Sequence, residues 1–172
     1  VVLVNSPDNP TGQVYSQESL LALGELLREY RRTHNRIIYL AADEPYRKVV
    51  YDQRMVPSIL QCYPESVMMT SYSKDPSLPG ERIGFLAVNP AAAYKEQFLA
   101  GAIMSNRILG FVNAPALMQR VVAFVQGKSV DIGLYQKKRD LFCDGLASCG
   151  YAVTKPAGAF YLFIKTPIPD DV

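Results

Sequence analysis

The sequence predicts an α/β fold, a mainly parallel sheet with one antiparallel strand flanked by helices, followed by the start of a small α+β unit. Three observations carry this. Residues 1–4 and 37–42 are short, continuously apolar runs, the pattern of strands buried on both faces, and a segment with helical periodicity lies between them. The link between two further strand candidates, 67–71 and 83–88, is only about ten residues long and rich in Pro and Gly. A parallel crossover needs a dozen residues or more, so the fourth strand is expected to run antiparallel to the third. The composition, 49% hydrophobic and 20% charged over 172 residues, is enough to fill a core.

Each element has a local reason. The first apolar run ends in Asn5-Ser6-Pro7-Asp8-Asn9-Pro10, a tight, proline-rich loop. Ser16 suits a helix N-cap. Leu20, Leu23, Leu27 and Tyr30 then recur at helical spacing, and Arg28, Arg31 and Arg32 fall in the last turns, where cations complement the helix dipole. Asp43-Glu44-Pro45-Tyr46 closes the second strand. Helices are expected over about 92–105, 114–125 and 131–148. Two short strands are expected at 151–153 and 160–164, around Pro156-Ala157-Gly158. The alternation of strand and helix stops at the long helix, which sets a boundary between units of 1–128 and 129–172.

Composition also excludes classes of function. The charge sum of +2 provides no basic face for nucleic acid. No apolar run approaches the ~18 residues of a spanning helix. Three cysteines without a CxxC pair, and a single histidine in a polar helix end, argue against a metal centre. They fit reduced thiols in a cytoplasmic protein. No glycine-rich nucleotide loop occurs.

Ligands of such sheets bind beyond the carboxyl ends of the strands, so three loops matter most. The first offers Asn9 before Pro10-Thr11-Gly12, which is also simple turn chemistry. The second offers Asp43 at the tip of an apolar strand, with Tyr46 three residues on; Asp43 equally suits the cap of a helical turn starting at Pro45. The third offers Ser71, Ser73, Lys74 and Arg82. A lysine straight after an apolar strand can lose charge by desolvation, and a neutral amine attacks aldehydes, whereas Asp75 beside it opposes that loss. Ser71, Ser73 and Arg82 can share a phosphate. The alternative is an exposed lysine and a surface arginine. Taken together, the loops contain an aldehyde-capturing amine, a phosphate cradle, an acid for a ring nitrogen and donors for a phenolic oxygen, the needs of pyridoxal phosphate.

Asn9-Pro10-Thr11-Gly12, Asp43-Glu44-Pro45-Tyr46 and Ser71-Tyr72-Ser73-Lys74 with Arg82, in that order, resemble the fold-type I pyridoxal-phosphate aminotransferases of class I/II. Pro156-Ala157-Gly158-Ala159-Phe160-Tyr161 resembles the motif with which that family's small domain begins its sheet. The resemblance implies a seven-stranded sheet with one antiparallel member and a homodimer. It implies that Lys74 holds the cofactor as an internal aldimine and then moves the substrate's α-proton. Asp43 would keep the pyridine nitrogen protonated, Tyr46 and Asn9 would bond the phenolic oxygen, and Ser71, Ser73 and Arg82 would bind the phosphate.

The implied reaction is amino-group transfer between an α-amino acid and a 2-oxo acid. A lyase acting on cysteine conjugates uses the same scaffold, and so does the ligand-sensing half of some transcription regulators. The resemblance also implies an internal fragment, the later part of the cofactor domain plus the start of the small domain. The phosphate-capping glycine turn, the ring-stacking aromatic and the carboxylate-gripping arginine would lie outside it. Asp75-Pro76-Ser77-Leu78-Pro79-Gly80 departs from the commoner form, in which an aromatic residue closely follows the lysine.

Overall fold

The computed structural model describes residues 1–168. Four strands form one sheet in sequence order: β1 (Val2–Asn5), β2 (Leu40–Asp43), β3 (Ser66–Ser71) and β4 (Gly84–Val88). β1, β2 and β3 are parallel, and β4 runs antiparallel to β3, as the short link requires. The register places Asn5 beside Asp43 and Asp43 beside Met69, so β1 and β2 finish level and β3 runs two residues further, to Ser71.

Helix α1 (Gln17–His34) connects β1 to β2. The Ser16 side chain accepts from the Ser19 N–H, which satisfies one of the unpaired donors of its first turn. Leu20 and Leu27 are buried against Val4, Leu40, Ala42, Ile59, Cys62 and Tyr63. Burial of each leucine contributes roughly 1.5–3 kcal/mol. At Gly24 the helix touches backbone, and a Cβ there would collide with the Cys62 carbonyl oxygen.

Helices α2 (Lys95–Ile108), α3 (Ala116–Val125) and α4 (Ile132–Ser148) follow. Asp131 caps α4 by accepting from the Leu134 N–H. α2 starts three residues later than its sequence pattern predicts. The N–H groups ahead of it are already taken: Ala91 donates to the Asn89 side chain and Ala93 to the Glu65 carboxylate.

Two further expectations are corrected. The second strand begins at Leu40, not at residue 37. Its neighbours set that limit: the first residues of the flanking strands, Val2 and Ser66, both pair with Leu40, so both ladders start there. The strands expected at 151–153 and 160–164 are absent among the described residues. These two stretches face each other across a groove lined by Ala152, Val153, Thr154, Phe163 and Ile164, with no ladder between them. The intervening turn pairs elsewhere, through a single antiparallel bridge between Gly158 and Val50.

That turn is anchored to the first loop of the sheet. The Gly12 carbonyl accepts from both Ala157 and Gly158 N–H groups at 2.9 Å. Gly12 has φ +67°, and a Cβ on it would overlap Pro156 and lie 2.6 Å from the Gly158 carbonyl oxygen. Gly12→Ala is therefore expected to cost roughly 2–4 kcal/mol, from backbone strain plus overpacking. Urea denaturation checks this, and an unchanged midpoint would show that the turn can move away freely.

Candidate functional site

The carboxyl ends of the three parallel strands place the three loops on one edge of the sheet. Asn5 at the end of β1 donates its side-chain amide to the Asp43 carbonyl (2.8 Å), and its side-chain oxygen accepts from the Asn9 N–H (2.6 Å). One asparagine thus ties the Asn9 turn to the tip of β2. The Asn9 side chain itself is exposed and makes no hydrogen bond among the described residues.

Asp43 differs from expectation. Its side chain is open to solvent and finds no cationic or N–H partner among the described residues. Neighbouring protein nonetheless withdraws enough water to push its carboxyl pKa up. The next residue, Glu44, is buried, and its backbone continues the ladder: its N–H donates to Met69 and its carbonyl accepts from the Thr70 hydroxyl. Burial pushes the Glu44 carboxyl up, and the Arg47 guanidinium 2.6 Å away opposes this.

Tyr46 is buried beneath Lys74. Its hydroxyl lies 2.8 Å from the Tyr161 hydroxyl. Burial and that bond raise the Tyr46 pKa far above the ordinary phenol value, so it stays neutral. The pair has two hydroxyl hydrogens and its mutual bond uses one, which leaves one to donate.

Lys74 is half-buried. Its ammonium lies 5.6 Å from the centroid of the Tyr46 ring and 5.4 Å from that of Phe160. It makes no salt bridge among the described residues. Asp75 does not face it: that carboxylate is turned to Lys48 (2.9 Å) and to the Val130 N–H (3.2 Å).

The β3–β4 pairing continues one step beyond Ser71 and Gly84, through the Tyr72 N–H bond to the Ile83 carbonyl. The Ser73 N–H donates to the Ser71 hydroxyl at 3.4 Å. Arg82 has φ +50° and is exposed, with one guanidinium nitrogen on the Pro79 carbonyl at 2.8 Å.

Sequence reasoning assigned no site role to Phe160, whose ring lies beside the Lys74 amine, or to Tyr161, whose hydroxyl bonds that of Tyr46. The motif containing them was visible, but nothing local says that it folds back on Tyr46. A cavity of about 250 Å³ adjoins these rings, lined by Tyr51, Tyr135, Lys138, Arg139, Phe160 and Tyr161 among others. It does not include Lys74, Asp43 or Asn9. The loop chemistry is the better guide to the site, because the strand-end residues and the Lys74 amine lie outside that cavity.

A mixed sheet with polar loops at its carboxyl edge defines a ligand-binding α/β domain. This chain belongs to the class I and II aminotransferase family, whose family model matches residues 1–168. Members of that family depend on pyridoxal phosphate. The chain is 32% identical over 168 residues to a probable aspartate aminotransferase of Methanocaldococcus jannaschii, covering 95% of this chain and 42% of that protein. It is 31% identical to the aspartate/prephenate aminotransferase of Thermus thermophilus, covering 99% and 44%. An aminotransferase crystal structure from Eubacterium rectale superposes with a TM-score of 0.92 at 43% identity, covering 95% of this chain and 41% of that one. The chain thus spans about two-fifths of the length of these relatives. No helix among the described residues is long and apolar enough to cross a membrane.

Proposed function

We propose that this chain carries the lysine-bearing half of an aminotransferase site that moves an amino group between an α-amino acid and a 2-oxo acid. The observation that carries the reading is the Lys74 amine, without a salt bridge among the described residues, set over the adjoining Tyr46 and Phe160 rings. The donor set fits pyridoxal phosphate. Asp43 is an acid without a protein partner among the described residues, and partial desolvation by its surroundings raises its pKa, which suits a cationic ring N–H.

Bound pyridoxal phosphate supplies an electron sink that stabilises charge at the substrate's α-carbon. Lys74 would hold the cofactor's aldehyde and, once released, would carry the proton at the α-carbon. Asp43 would hold the ring nitrogen's proton in place. Tyr46, kept neutral, and the Asn9 amide would donate to the phenolic oxygen. Ser71, Ser73 and the free edge of the Arg82 guanidinium would bind phosphate.

Residues 1–128 would form part of the cofactor domain and 129–172 the start of the small domain. The protein would act as a homodimer, in keeping with the exposed apolar side chains Ile103, Met104, Ile108 and Leu109 at the end of α2. The free cysteines, two of them buried, are in keeping with the reducing cytoplasm.

Aspartate is the first donor to try, because the Methanocaldococcus and Thermus relatives are named for it. The test gives the full-length protein pyridoxal phosphate, a panel of amino donors and 2-oxoglutarate. Amino-group transfer is expected. Release of pyruvate and thiol from a cysteine conjugate, without transfer, would replace this reading with the lyase.

A further inference from the structure

The residue after the lysine is the least explained part of the site. Asp75 is 6% exposed. A buried carboxylate needs partners for both oxygens, and Asp75 has them: Lys48 Nζ at 2.9 Å from Oδ2, and the Val130 N–H at 3.2 Å from Oδ1. It also borders a cavity of about 170 Å³ that contains the Glu44–Arg47 pair, Lys48, Thr70, Tyr72 and Gln126. Within that cavity Glu44 is already neutralised by Arg47, so Lys48 is the one cation there that faces Asp75.

These partners come from places that matter to Lys74. Lys48 lies two residues beyond Tyr46, whose ring underlies the amine. Val130 directly precedes Asp131, the N-cap of α4. On α4, Arg139 donates to the Pro156 carbonyl at the start of the segment that carries Phe160, the second ring beside the amine. The contacts form a closed circuit. Lys74 is bonded through the backbone to Asp75. Asp75 is fixed to the segment bearing Tyr46 and to the start of α4, and α4 in turn fixes the segment bearing Phe160.

We propose that Asp75 is a positioning residue for Lys74, holding the lysine-bearing turn against both Lys48 and the start of α4 so that the amine stays over its two rings. The proposal rests on the reading of Lys74 as the cofactor-binding amine. Asp75 touches neither substrate nor cofactor in this role. It acts by fixing the backbone from which the lysine reaches, and small displacements of a reacting group are costly.

The test compares wild type, Asp75→Ala, Asp75→Asn and Lys48→Met in the full-length protein, with pyridoxal phosphate as the probe. The readouts are the cofactor Kd from visible absorbance, kcat and KM for the amino donor, and the unfolding temperature without cofactor. Asp75→Ala is expected to weaken cofactor binding and lower kcat by about ten- to a hundredfold, with KM nearly unchanged. Asp75→Asn should recover a large part of both, because its amide oxygen still accepts from Val130. Lys48→Met, at a half-exposed side chain, should give a smaller loss of the same kind, and none when added to Asp75→Ala. If Asp75→Ala does not fold, Lys48→Met decides the matter.

Wild-type Kd and kcat in folded variants, with only the unfolding temperature lowered, would overturn the proposal. Failure of the reading beneath it looks different. There, wild type itself would not hold the cofactor, or Lys74→Ala would still hold it covalently, and the proposal would fall with it.

Discussion

Lys74→Ala in the full-length protein is expected to abolish covalent retention of pyridoxal phosphate and to lower amino-group transfer by at least about 10²–10⁴-fold, the range supplied by a positioned acid–base group. No other primary amine is set beside the Tyr46 and Phe160 rings: among the described residues these two cation–ring contacts both belong to Lys74. Fold stability should barely change. The ammonium makes no salt bridge, and its removal leaves no buried charge unpaired. The measurement is borohydride reduction followed by mass analysis, alongside turnover of the best amino donor. A reduced cofactor adduct on the alanine variant would place the attachment elsewhere.

Arg139→Met should have the largest effect on stability among single substitutions in α4. Arg139 is buried, with a two-pronged contact to Asp52 (2.7 and 2.9 Å), a bond to the Pro156 carbonyl (3.1 Å) and its guanidinium 4.6 Å from the centroid of the Tyr51 ring. Removing one member of a buried pair costs about 3–5 kcal/mol when the other is left buried. Asp52 is half-exposed and can rehydrate, so about 2–3 kcal/mol is expected, with Met preserving most of the volume.

The pH dependence has a definite sign. The bond from Arg139 holds Asp52 below its ordinary value of 3.8. This contribution is therefore fully present above pH 3.8 and is lost as pH falls through the depressed value. The gap between wild type and Arg139→Met should narrow on acidification below that point. Urea denaturation at several pH values measures it, and a gap that widens in acid would contradict the assignment.

The sheet was legible in the sequence because its signals are local. The Ser16 cap, the leucine stripe of α1 and the short link before β4 each depend on a few neighbouring residues, and each appears where expected. The loop residues Asn9, Asp43, Tyr46, Ser71, Ser73, Lys74 and Arg82 stand out in the sequence as candidates because they follow strand ends, where ligands of such sheets bind. The final strands were misread because a strand needs a partner, and alternation within 151–153 or 160–164 cannot supply one. The partners of Asp75 were invisible for a related reason. Lys48 and Val130 are 27 and 55 residues away along the chain, and no periodicity links them to the lysine.

The bond between the Tyr46 and Tyr161 hydroxyls closes a loop of 115 residues. The entropy of closing a loop grows with its length, and contacts of long range form late. The parallel core around Leu40 involves shorter closures, such as β1 to β2 and β2 to β3. During refolding, the Leu40 N–H should gain protection from exchange before the Tyr51 and Ala159 N–H groups, which are tied to Ala157 and Val49. Simultaneous protection in a pulse-labelling experiment would refute this order. The setting of the lysine amine is thus expected to be assembled last, after the scaffold that supports it has set.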